Sequence, residues 1–388
     1  MIHNHAQKVI GFWGLTFNSG NMGCNALSFG FLSILNKVVT DKTKIYVFFQ
    51  GQDFDTESLN TEKIKVHSVG YNPRSWDSIR RVKHLSKECD ISFDFTAGDS
   101  FSDIYGLKGF VKSCLFKKLA IKYSKRFVLG PQTYGPFQHG LARSMAKNIL
   151  HKSDYACSRD KESAEYVKSL YHIDLDVYTD VAFALPYQNQ HILNPNRRKI
   201  GINISGLLWN GGYTGTNQFG LTVDYQRYIE GLLERLLEYD HTDIYIIPHV
   251  ISSGTNPECD YNISEILAKR YNKLILAPRF TSPIEAKSFI SEMDVFTGAR
   301  MHATIGAFSA GVVTIPFSYS RKFEGLYNNL GYPYTINART LDTQTAITQT
   351  LEYIDHPDKL ISSQGNARLT IGEKLSLFEE KIEQLLTE

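Results

Sequence analysis

Residues 293–323, MDVFTGARMHATIGAFSAGVVTIPFSYSRKF, decide the fold. The apolar pair Val295-Phe296 runs into Gly298, and Arg300 and His302 follow at the mouth of a helix-like segment that stops at Gly311. A second apolar run, Val312–Phe317, leads to Tyr319, Arg321 and Lys322. Strand, helix and strand in this order form the unit of a parallel sheet. Ligands of such sheets gather outside the carboxyl ends of the strands, where a helix N-terminus offers backbone N–H groups and partial positive charge. Arg300, His302 and Lys322 converging there predict a pocket for a small anion bearing phosphate or carboxylate. The same residues also admit a structural reading, with Arg300 paired to a neighbouring carboxylate and His302 capping the helix.

The pattern extends outward in both directions. Upstream, short apolar runs at Lys8–Gly14, Lys44–Phe49, Lys65–Val69, Ile91–Ala97, Arg126–Leu129, Tyr155–Ser158 and Leu175–Tyr178 alternate with polar loops and amphipathic stretches. A polar break, PYQNQHILNPNRRK (186–199), reads as an interdomain linker, and the alternation restarts at Ile200–Ile204. The expectation is an α/β protein with two Rossmann-like domains facing a cleft, the GT-B plan. Residues 1–188 form the first domain, 197–345 the second, and 346–388 a helical segment packing back on them.

Composition narrows the class. A chain of 388 residues, 42% apolar, suits two domains. A net charge of +2 argues against a broad nucleic-acid footprint. The five cysteines are scattered, with neither metal-ligand spacing nor a disulfide framework, which points to a reducing cytoplasm and no bound metal. The start, MIHNHAQK, lacks the features of a signal peptide, and no apolar run approaches bilayer-spanning length. The stretch LKGFVKSCLFKKLAIKYSKR (107–126) places Leu107, Phe110, Val111, Cys114 and Leu115 on one helical face opposite lysines. It reads as a solvated helix against a sheet, or as a peripheral contact with the inner face of a membrane.

Four loops could carry chemistry. GLTFNSGNMGCNAL (14–27) occupies the place of a phosphate-binding turn, yet fits neither G-x-G-x-x-G nor the P-loop. Its Asn18, Ser19 and Asn21 could hydrogen-bond sugar hydroxyls, or the glycines could simply make a tight turn. In GDSFSDIYG (98–106), Asp99 and Asp103 sit where a strand gives way to a helix, beside Ser100. Either acid suits a helix cap or a general base toward a hydroxyl. SRDKES (158–163) offers Arg159 as a second cation, and IIPHV ends a strand at His249. The hydrolase, zincin and kinase signatures are absent.

In order and spacing these segments resemble the polysaccharide pyruvyl transferase family. The resemblance rests on GLTFNSGNMGCNAL, FTAGDSFSDIYG, VLGPQTYGPF, CSRDKES, TDVAF and, most specifically, GARMHATIGAFSAGVVTIPFSYSRKF, and it spans nearly the whole chain. It implies a GT-B-like fold and phosphoenolpyruvate (PEP) as a co-substrate, with no cofactor. The implied reaction forms a cyclic pyruvate ketal on a sugar of a capsule, an exopolysaccharide or a lipid-linked precursor, and releases phosphate. The R-x-H pair of the family maps onto Arg300 and His302, and its later basic residue onto Lys322, with Arg159 a further phosphate contact. On this scheme His302 donates the proton and Asp99 or Asp103 is the base. Asn18, Ser19, Asn21, Ser100 and His249 face the acceptor. Two other readings share the residues: a GT-B glycosyltransferase with a nucleotide-sugar donor, for which Glu324 could hold the ribose, and a non-catalytic anion- or sugar-binding module.

Overall fold

The computed structural model describes residues 7–388 except Ser253 and Thr255, and not the side chain of Arg321. Residues 1–6, which carry most of the signal-peptide reading, lie outside the described residues. Thirteen strands and thirteen α-helices are seen among the described residues. The strands are β1 (Lys8–Trp13), β2 (Thr43–Gln50), β3 (Ile64–Tyr71), β4 (Ile91–Asp94), β5 (Phe127–Gln132), β6 (Tyr155–Ser158), β7 (Asp176–Val177), β8 (Arg198–Asn203), β9 (Thr242–Ile246), β10 (Leu274–Leu276), β11 (Val295–Gly298), β12 (Val313–Ser318) and β13 (Ile336–Asn337). The helices are α1 (Met22–Val38), α2 (Trp76–Glu88), α3 (Leu107–Tyr123), α4 (Gly140–Lys152), α5 (Lys161–Tyr171), α6 (Gly206–Trp209), α7 (Tyr225–Leu236), α8 (Asp260–Arg270), α9 (Pro283–Ile290), α10 (Met301–Ala310), α11 (Arg321–Asn329), α12 (Thr343–Asp355) and α13 (Asp358–Thr387).

Two compact units result. The first gathers the chain up to Asn18, Gly30–Val181 and Lys374–Glu388; the second gathers Ser19–Phe29 and Ala182–Glu373. The first holds a parallel sheet in the order β3-β2-β1-β4-β5-β6-β7, the second a parallel sheet in the order β10-β9-β8-β11-β12-β13. In each, the order reverses beside the first strand, β1 against β4 and β8 against β11. Such a reversal opens a crevice at the strand ends.

Strands covered on both faces are mostly apolar, and polar residues such as Asp94 and Gln132 stand at their carboxyl ends. β4 is buried along its whole length, and β1 beyond its first residue. Phe31 of α1 packs its ring 5.1 Å from Phe12 and 5.0 Å from Phe93, filling one face of the first sheet. In the second unit Tyr228 of α7 lies 4.7 Å from Phe317 of β12. The opening motif is strand β11, helix α10 and strand β12, with Gly311 ending the helix at φ 87°.

Four expectations shift. The segment 19–29, including the start of α1 and assigned to the first domain, belongs to the second unit: Met22 N–H donates to His249 O and Ile251 N–H to Gly20 O. The tail does not behave as one segment, because α12 and the start of α13 fall in the second unit and Lys374 onward in the first. In α3 the buried stripe is Phe110, Cys114, Lys117 and Ala120, while Leu115 is 53% exposed. Lys117 is inside because its ammonium lies 3.1 Å from the buried Asp94 carboxylate, a partner on another element that helical periodicity cannot reveal. The linker is no free tether either: Gln188 N–H donates to Ser288 Oγ and Leu193 N–H to Glu292 Oε2.

Candidate functional site

The strand ends of the second sheet converge on a buried carboxylate, Asp260, the first residue of α8. Its Oδ1 accepts from Gly206 N–H (2.9 Å) and from Arg300 Nη2 (2.8 Å) and Nε (3.1 Å). Its Oδ2 accepts from Val250 N–H (3.0 Å) and His249 N–H (3.2 Å). Asn203, at the end of β8, accepts from Arg300 N–H at 2.9 Å through its side-chain oxygen. A side chain on Gly298 would collide with Asn203, its Cβ falling 2.6 Å away, so glycine at that strand end lets the two strands close around the asparagine. Arg300 Nη2 also reaches Glu258 O at 2.7 Å. Burial disfavours the charged guanidinium, but the Asp260 carboxylate more than offsets this and holds it firmly protonated. A planar fork gripped by one carboxylate has a fixed plane, which an ammonium would not.

Arg300 thus satisfies the structural reading of the motif, and its side chain is 11% exposed. His302 lies in the first turn of α10. Its ring rests on the first turn of α1, where a Cβ on Gly23 would fall 2.5 Å from Nδ1. His249 is buried nearby, its pKa pushed down to about 3 by burial and by the charges of His302 and Arg300. It is a neutral wall of this corner rather than an exposed sugar contact. Lys322 stands in the first turn of α11, half-buried, just beyond β12. Asn21 accepts from Gly23 N–H at 3.0 Å and Ser19 Oγ from Asn21 N–H at 3.1 Å, so both side chains cap the start of α1. Asn18 is exposed in the first unit and accepts from Thr16 Oγ1 at 3.2 Å. Glu324 accepts from Asn337 Nδ2 at 2.6 Å.

The first unit carries its own polar strand ends. Asp99 is partly exposed and accepts from Ser100 Oγ (3.3 Å) and Tyr105 OH (3.1 Å). Asp103 is not available as a base. Burial raises its pKa, but N–H groups of Gln138 and His139 and the His139 ring outweigh this and lower it. Both oxygens are spent on fixing the turn before α4. The ion pair of Asp103 with His139 Nδ1, at 2.7 Å, leaves the ring itself 54% exposed. Arg159 is buried in this unit, bonded to Asp180 at 2.7 Å and to Thr133 Oγ1 at 2.9 Å. Its charge is matched by Asp180, as that of Arg300 is by Asp260, and it braces the strand ends of the first sheet.

Sequence reasoning missed Asp260, Asn203 and His139. Asn203 ends a strand, which is a signal in hindsight; Asp260 and His139 carry none beyond their residue types. It also passed over the loop between α6 and α7, whose Gly211, Gly212 and Gly215 have φ of 74°, 86° and 68° and line a cavity of about 590 Å³. Tyr213 of that loop donates to the Glu258 carboxylate, which ties the loop to the Arg300 corner. Among the described residues, no three His, Cys, Asp or Glu side chains are grouped to hold a metal ion.

Two parallel αβ units of this topology are those of a GT-B-fold enzyme. UDP-GlcNAc 2-epimerase from Neisseria meningitidis, bound to UDP-GlcNAc, is similar in structure with TM-score 0.59 and 13% identity, over 98% of this chain and 100% of that one. Trehalose-6-phosphate synthase OtsA is similar with TM-score 0.60 and 11% identity, over 98% and 99%. No curated protein matches the sequence. The profile of the family described as polysaccharide pyruvyl transferase matches residues 21–321, from the Asn21 cap through the R-x-H corner to the start of α11. The chain belongs to that family.

Proposed function

We propose that the enzyme transfers pyruvate from PEP to two hydroxyls of one sugar, as a cyclic ketal, in building a capsular or extracellular polysaccharide. The observation that carries this reading is the Asp260-braced Arg300 beside His302 at the N-terminus of α10. A helix N-terminus with fixed cations suits a ligand bearing both carboxylate and phosphate. Lys322 adds an ammonium for the departing phosphate.

The chemistry follows from PEP. A proton delivered by His302 to the methylene carbon leaves an oxocarbenium-like centre at C2. Asp99 takes the proton of one acceptor hydroxyl, whose oxygen bonds to C2. The C2–O bond to phosphorus then breaks, with the electron pair leaving on phosphate. The second hydroxyl adds to C2, and its proton is passed to phosphate. The second unit serves the donor and the first the acceptor, and neither metal nor organic cofactor enters the scheme. No described helix is long and apolar enough to cross a membrane. The lysines of α3 support a place at the inner membrane face, where lipid-linked acceptors are built.

The test is to incubate the protein with PEP and a panel of galactosyl, glucosyl and N-acetylmannosaminyl acceptors. Phosphate release with one ketal added to one acceptor supports the proposal. A nucleotide-sugar transferase is the competing reading, since the similar epimerase binds UDP-GlcNAc. Stabilisation against heat by UDP or GDP and not by PEP would favour it.

A further inference from the structure

The crevice where the first sheet reverses is a cavity of about 730 Å³ that no step above uses. Its lining is mixed. The polar part is Asp94, Thr96 and Ser100, with Thr96 Oγ1 donating to Asp94 Oδ1 at 2.6 Å. Lys117 joins it from α3, bound to Asp94 and to Ser113 Oγ, both at 3.1 Å. The close approach of β1 and β4 here depends on Gly14, at φ 63°, whose Cβ would fall 2.6 Å from Thr96 N.

The rest of the lining is largely apolar. Trp13 stacks on Phe48 with ring centres 4.3 Å apart, and Tyr71 on Phe116 at 4.0 Å. Ile79, Leu115 and Leu119 continue that wall to the rim, where Leu115 is 53% exposed. Lys112, exposed, also lines the cavity. α3 further carries Lys108, Lys118 and Lys122 and has no acidic residue at all. An exposed leucine at the mouth of an aromatic-walled cavity, on a helix of one charge sign, fits a ligand with a hydrocarbon chain and an anionic group.

We propose that this cavity holds the acceptor by a hydrocarbon chain joined through phosphate to its sugar. The chain lies along Phe116, Leu115 and Ile79. The phosphate meets Lys112, and the sugar reaches toward Ser100 and the neighbouring Asp99. The use of the site rests on the pyruvyl-transfer reading; its existence does not.

Calorimetric titration of the full chain with dodecyl phosphate, below its micelle concentration, tests the site without PEP or turnover. The wild type should bind it, and inorganic phosphate should neither bind there nor displace it. Leu115→Asp should weaken binding at least tenfold and Lys112→Ala severalfold. Leu170→Asp, on α5 and away from the cavity, should change nothing. Should Leu115→Asp lower the thermal midpoint, Lys112→Glu carries the same test at an exposed position. No binding by the wild type, or equal binding by Leu115→Asp and wild type, overturns the inference. A positive titration with no phosphate release on any acceptor leaves the site standing and removes the pyruvyl-transfer reading. Phosphate release with a negative titration does the reverse.

Discussion

The imidazole of His302 lies on the backbone of Gly23, so close that a β-carbon there would stand 2.5 Å from Nδ1. An alanine at 23 has to push the ring aside. Alanine is the better helix former by up to about 1 kcal/mol, so the fold should survive. Gly23→Ala should therefore lower kcat at least tenfold with little change in thermal midpoint. Full activity in Gly23→Ala would show that the position of His302 does not matter to the chemistry.

The pair Arg300–Asp260 separates charge from geometry. Arg300→Lys keeps a cation but loses the fork, so KM for PEP should rise strongly while the chain stays folded. Asp260→Asn strands a buried guanidinium, and loss of one partner of a buried pair costs about 3–5 kcal/mol. Denaturant unfolding should show that loss, with PEP affinity falling beside it. Wild-type kinetics in Arg300→Lys would sink the anion-corner reading.

His249 makes stability depend on pH. Its pKa is about 3 in the folded chain against 6.5 for an ordinary histidine, so the unfolded chain binds the proton first as pH falls. The stability this neutral ring contributes is intact above about pH 6.5 and is lost as pH falls toward 3. The slope is at most about 1.4 kcal/mol per pH unit for one proton. Urea unfolding between pH 7 and pH 5 should be steeper in pH for the wild type than for His249→Gln. Equal slopes would mean that another group carries the titration.

Asp99 is assigned as the base because its carboxylate is partly exposed, whereas that of Asp103 is saturated. Asp99→Asn should leave PEP binding unchanged and reduce transfer by about 10²-fold or more, as for loss of a general base. Tyr105→Phe, which removes one hydrogen bond to Asp99, should cost severalfold at most. Normal turnover in Asp99→Asn moves the base to His139, oriented by Asp103 and exposed on its other edge; His139→Gln is then the decisive variant.

Much of the architecture was legible along the chain. Parallel strands covered on both faces must be short continuous apolar runs, so β1, β4, β8, β11 and β12 announce themselves locally. The R-x-H corner was legible for the same reason: strand, loop and helix N-terminus are contiguous, so Arg300 and His302 reach one strand end without help from distant residues. What the sequence could not reveal depends on partners far away in the chain. Lys117 reads as a surface lysine until Asp94 is placed beside it, and Arg159 as a free cation until Asp180 is.

By itself the sequence determined the two parallel sheets, their order of elements and the family, because periodicity and local motifs are properties of neighbours along the chain. The tertiary structure alone decided that segment 19–29 joins the second unit, that Asp260 grips Arg300, and that Asp103 is spent on a turn. The physical reason is common to all three. A buried charge or N–H group must find its counterpart wherever folding brings one, and no spacing rule connects residues 40, 36 or more than 200 positions apart.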